Sequence, residues 1–159
     1  MKRPLSGFAA CALIAVPPIA ATAPTAPTPH WKWALTVSAD GVSIGEADDD
    51  EGNSISCDLP AKKLINFHFH IDNLTLGNNP TKTQMTVASG TAKVTLRSDA
   101  DPNNNAGGSD VIAAVPAGSP VVTNFAATGA LTMSALGHTS SSPAVPKAMA
   151  AKLVKLCRG

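Results

Sequence analysis

From Trp31 onward the chain alternates apolar and polar residues through most of its length. The clearest case is INFHFHID, Ile65 to Asp72. Ile65, Phe67, Phe69 and Ile71 fall on one side of an extended strand, and Asn66, His68, His70 and Asp72 on the other. A strand with one buried face predicts that the phenyl rings meet the interior and the imidazoles meet water.

The same period of two recurs on both sides of this segment. WKWALTVS (31–38) places Trp31, Trp33, Leu35 and Val37 on one face, and VSIGEA (42–47) returns after the turn signal Ala39–Gly41 as the second half of a hairpin. SISCDL (54–59) turns Ile55, Cys57 and Leu59 inward, and Pro60 ends it. TQMTVAS (83–89) and TAKVTLRS (91–98) read as two strands joined at Gly90, while DVIAAVP (110–116) and ALTMSAL (130–136) read as shorter ones. The polar stretch SDADPNNNAGGSD (98–110) is expected to be a long loop. VVTNFAATG (121–129) stays open between strand and irregular structure.

The period changes at the end. From Pro146 a spacing of 100° per residue gathers Val145, Met149, Ala150, Leu153, Leu156 and Cys157 on one side, with Lys147, Lys152, Lys155 and Arg158 opposite. An amphipathic helix over 146–157 is therefore expected, with Pro146 in its first turn and cations near its C-terminal dipole. The predicted fold is mainly β: an antiparallel sheet, sandwich or partly open barrel with this one helix docked on it. A single domain, 31–159, accounts for the length.

The first 30 residues have another character. Lys2 and Arg3 precede an apolar run and then small residues, the layout of a secretory signal peptide over 1–21, followed by a Pro/Thr/Ala-rich leader over 22–30. The run is short and broken by Pro17 and Pro18, so no membrane span is expected here or later. Cys11 has a rival reading as a lipid-attachment site after FAA, but only a few apolar residues precede it. Secretion or export to the periplasm makes Cys57 and Cys157 an expected disulfide, since such bridges persist in oxidising compartments.

Charge bears on the partner. Basic and acidic residues number 12 and 11, and losing Lys2 and Arg3 leaves no basic excess for a phosphate backbone, so nucleic acid is excluded as an expected partner. Candidate chemistry is sparse. His68 and His70, two apart on one strand face, could chelate zinc or copper with Asp72, His30 or His138 as a third ligand. GVSIG (41–45) matches the serine-hydrolase pattern, but Ser43 falls inside a predicted strand instead of a strand-to-helix turn. Asp99, Asp101, Asn103 and Asp110 approximate a calcium loop between strands. The run DDDE (48–51) could meet a cationic partner, Trp31 and Trp33 could stack on a sugar, NLT at Asn73 fits the glycosylation pattern, and the basic helix could lie on anionic lipid.

None of these forms a coherent catalytic set, and no cofactor is implied. The expected function is a non-enzymatic binding or interaction module of the secreted or periplasmic space, with an unidentified protein or small molecule as partner. A metal-binding protein using His68 and His70 is the alternative.

Overall fold

The computed structural model describes residues 32–46, 52–59, 63–105, 107–140 and 142–159. The expected signal peptide and leader, Trp31, His30 and the acidic run 48–51 lie outside them. The described elements are β1 (Trp33–Val37), β2 (Gly41–Glu46), β3 (Ser54–Asp58), β4 (Leu64–Asp72), β5 (Thr81–Ser89), β6 (Ala92–Asn103), β7 (Gly108–Pro116), α1 (Pro120–Thr128), β8 (Thr132–Ala135), β9 (His138–Thr139) and α2 (Lys147–Arg158). All nine strands join one curled antiparallel sheet, a half-barrel, in the order β1-β2-β3-β4-β7-β6-β5-β8-β9.

The longest-range pairing is between β4 and β7. Nine consecutive partners run from Leu64 opposite Pro116 to Asp72 opposite Gly108. Cross-strand partners share a face, so apolar positions align into rows. One such row crosses four strands: Ile44 on β2, Ile55 on β3, Phe67 on β4 and Ala113 on β7, all buried. Both helices cover this face. α1 lies against β5 and β6, α2 against β2, β3 and β4, and the two helices pack on each other. Phe67 and Phe125 of α1 meet edge to face with ring centroids 6.2 Å apart, a favoured aromatic geometry.

The C-terminal helix docks as its spacing predicts, with Ala150, Leu153, Val154 and Cys157 buried and Leu156 half-buried. Cys157 is joined to Cys57 of β3, their Cα atoms 6.0 Å apart across a sequence separation of 100. In the chain-entropy account a loop of that length adds roughly 4 to 5 kcal/mol by restricting the unfolded chain.

Two expectations need correction. Residues 98–110 are mostly strand: β6 runs to Asn103 and β7 starts at Gly108, and the Gly107 N–H donates back to the Asn103 carbonyl at 3.0 Å. Polar composition misled here because the outer face of these strands meets solvent and tolerates Asp and Asn. VVTNFAAT lies within a helix, α1, and its four β-branched residues mask the helical spacing of Val121, Val122 and Phe125. The boundary signals were present: Pro120 sits in the first turn, and Gly129 ends the helix at φ 72°. A side chain at Gly129 would also collide with the Val145 carbonyl. On the edge strand β1, Trp33 and Leu35 are half-buried against the core, but Val37 is exposed.

Phe67→Ala should lower unfolding free energy by about 3 to 5 kcal/mol, the usual cost of emptying a buried aromatic site. Urea titration reads this directly, and a loss under about 1 kcal/mol would contradict the packing described. Alkylation without reductant should leave Cys57 and Cys157 unmodified, and replacing both with Ala should cost about 2 to 5 kcal/mol.

Candidate functional site

The register of β3 with β4 stops at Ser54 opposite His68, whereas β4 continues to Asp72. Among the described residues, Phe69–Asp72 therefore have β7 on one side and no strand on the other. Asn53, just before β3, partly substitutes: its Oδ1 accepts the His70 backbone N–H at 3.3 Å. The His70 carbonyl and the Asp72 N–H point to the same side, because both backbone groups of alternate strand residues do. The vacated edge opens into a cleft of about 190 Å³ lined by Glu46, Gly52, Asn53, His70 and Asp72 on one side and by His138, Thr139 and Ser140 around β9 on the other. The curl of the sheet, which carries its two ends toward each other, supplies that second wall.

Glu46 ends β2 opposite Trp33 and shares the core-facing side with Val42 and Ile44. It is 8% exposed. Ser142 Oγ donates to its Oε1 at 2.5 Å, and Asn53 Nδ2 lies 3.5 Å from the same oxygen and 2.8 Å from Ser142 Oγ. The contacts tie β2 to the segment before α2. No Lys or Arg among the described residues lines the cleft.

The second polar group lies across β3, β4 and β7. Asp110 stands directly opposite His70 in the ladder, with His68 on the diagonal, and both distances are within reach of long side chains. One oxygen, Asp110 Oδ1, lies 2.8 Å from His70 Nδ1 and 3.1 Å from His68 Nε2; Asn103 Nδ2 donates to Oδ2 at 2.9 Å. A carboxylate only accepts, so each imidazole donates to it. That assigns the proton to Nδ1 of His70 and Nε2 of His68 by the network. His68 Nδ1 then accepts from Ser54 Oγ, 3.4 Å away, and His70 Nε2 is left facing Asp72 Oδ1 at 3.4 Å.

Burial by itself would raise the Asp110 pKa. The hydrogen bond from His70, the charge and hydrogen bond of His68 and the Asn103 amide outweigh it and hold the carboxyl below its ordinary value. The same contacts offset the repulsion expected from Asp101, which is Asp110's partner on β6.

The histidines do not both meet water as alternation predicts. The His68 side chain is 24% exposed and that of His70 only 7%. Asp110 holds one edge of the His70 ring and the Gly108 backbone lies against it; a Cβ on Gly108 would sit 2.8 Å from Nε2. The nearest nitrogens of the pair converge on Asp110 and not on a shared open point. Among the described residues no three His, Cys, Asp or Glu side chains are disposed to hold a metal ion.

The remaining candidates are dispersed. Ser43 is inside β2, paired on both sides. The calcium-like residues do not converge: Asp99 binds Lys82 at 2.7 Å, and Asp110 faces the histidines. Ser54, His68 and Asp110 form a serine–imidazole–carboxylate line that the sequence did not reveal. Acyl transfer also needs N–H donors aimed at an oxyanion, yet the backbone around Ser54 is registered with Gly45 on one side and His68 on the other. Trp33 donates its indole N–H to the Pro143 carbonyl at 3.1 Å. Asn73 is exposed. Arg158, on the basic side of α2, is tied to Ala117 O and Thr123 Oγ1, while the lysines are exposed. No described helix is long and apolar enough to cross a membrane. Compared with family models, curated proteins and solved structures, the chain matches none.

Because the folded Asp110 pKa lies below its unfolded value, its contribution to stability is complete above the unfolded value and is lost as pH falls through the folded one. Asp110→Asn should cost about 1.5 to 3 kcal/mol at pH 7, the range for hydrogen bonds to charged groups. The gap from wild type should close below about pH 4. Urea titrations from pH 2 to 8 measure it; a gap that is constant across the acid range would remove Asp110 as the anchor of the histidines.

Proposed function

We propose that this chain is a non-enzymatic binding module of the secreted or periplasmic space, with its ligand seated in the cleft beside the open edge of β4. One observation carries the proposal: the cleft is built from strand ends and polar side chains that the fold leaves uncovered, at the place where β3 departs and β9 arrives. Ligand sites combine a concave surface with a few placed polar groups. Here those groups stand on strands and are braced from behind, His70 by Asp110 and Glu46 by Ser142.

The signal-like N-terminus and the Cys57–Cys157 bridge both suit an oxidising environment. A catalytic role for the Ser54 line is not favoured, because the ladder occupies the backbone donors such chemistry would use. The metal-binding alternative has no third ligand grouped with its two imidazoles among the described residues and is not carried forward.

A screen of small polar fragments against ¹⁵N-labelled protein tests the site. Binders should shift the amides of His70, Asp72, His138 and Thr139 together, and Asp72→Ala should weaken them. Hits that cluster elsewhere, such as the apolar groove between Ala126, Ala151 and Val154, would move the function away from this cleft.

A further inference from the structure

If the cleft is a ligand seat, its lining specifies the chemistry of the ligand. Its charged groups are of one sign: the carboxylates of Glu46 and Asp72 line it, and no Lys or Arg among the described residues does. Among the described residues both hydrogen bonds of Glu46 fall on Oε1 and none on Oε2, in a residue that is more than nine-tenths buried. Buried carboxylates are ordinarily paired with a cation or fully hydrogen-bonded, because leaving one without such partners forfeits its hydration with nothing in return. His70 spends its Nδ1 proton on Asp110, and its Nε2 lone pair therefore faces the Asp72 carboxylate at 3.4 Å. Two acceptors at that distance repel unless a donor bridges them or the ring takes up a second proton. The His70 carbonyl on the open strand edge is a further acceptor.

The complement of such a wall is a cationic group with several N–H donors. A bare metal ion fits less well, since it needs three donors around one point and no such group exists among the described residues. A guanidinium or ammonium group is larger. Its donors are spread over several ångströms, and guanidinium carries five of them in a fork suited to carboxylates.

We propose that the cleft recognises an organic cation, a guanidinium or primary ammonium group, held between the carboxylates of Glu46 and Asp72 with His70 Nε2 as a third acceptor. The shared chemistry admits two sources: a free small-molecule cation, or an arginine or lysine side chain whose backbone also pairs with the uncovered edge of β4.

The experiment titrates ¹⁵N-labelled protein with four probes: butylguanidine and its neutral isostere butylurea, and the end-blocked peptides Ala-Arg-Ala and Ala-citrulline-Ala. The guanidinium members should shift the amides of His70, Asp72 and His138, and the urea members should bind at least about tenfold more weakly, the size of one lost charge-assisted hydrogen bond. Glu46→Gln and Asp72→Asn should each remove a similar factor. Because the Asp72 side chain is 85% exposed, its variant tests the idea even if Glu46→Gln fails to fold. Tighter binding of the arginine peptide than of butylguanidine assigns a peptide source; equal or weaker binding assigns a free cation. Equal binding of the charged and neutral probes would overturn the inference and leave the cleft as a seat for neutral ligands. Failure of both guanidinium probes to shift these amides would overturn it as well, and so would stoichiometric zinc binding at the same residues without any response to guanidines.

Discussion

The pairing of β4 with β7 holds the molecule together. It joins a strand from the first half of the chain to one from the second across nine consecutive positions, and both faces of the protein follow from its register. On one face it aligns Phe67 with Ala113 and Phe69 with Val111 beneath the helices. On the other it sets His70 against Asp110. A slip of one residue would exchange the two faces along the whole strand. It would place phenyl rings outside and a carboxylate among the apolar side chains. Core and polar cluster are thus alternatives decided by one choice of register.

The cleft arises from a different kind of constraint, a mismatch of lengths. β3 has five residues and β4 nine, so part of β4 must lose its neighbour. Unpaired strand edges attract other chains unless they are covered. Here Asn53 covers part of the edge, and β9 with its flanking turn stands opposite. The space between them is small and ringed by polar atoms, a shelter for part of one ligand and no surface for unlimited strand addition.

Much of this was legible in the sequence, and what was not has physical causes. Alternation located nearly every long strand, because a half-buried strand must separate apolar from polar positions. Helical spacing located α2. Both signals are local. The partnership of Asp110 with His70 is not: β5 and β6 intervene, and no spacing rule connects residues 40 apart whose adjacency depends on strand order. Asp110 groups with Asp99 and Asp101 in the sequence for the same reason, since they are neighbours along the chain and not around a common centre. The burial of His70 was equally hidden. It depends on Gly108 lacking a side chain and on the curl that brings β9 near, neither of which leaves a mark within INFHFHID. Glu46 shares the period of Val42 and Ile44, so alternation puts it on their face, but the contacts that hold it there, Ser142 and Asn53, leave no local mark.

The bond between Cys57 and Cys157 has a mechanical consequence. It joins a residue near the start of the sheet to one at the end of the last helix, so the backbone between them forms a closed ring. Tension applied to the two ends of the chain would pass through the sulfur atoms and bypass that ring. Only β1, β2 and β3 as far as Cys57 would bear load, while β4, β7 and both helices would be shielded. The part that yields first under such tension would be the hairpin that supplies Glu46.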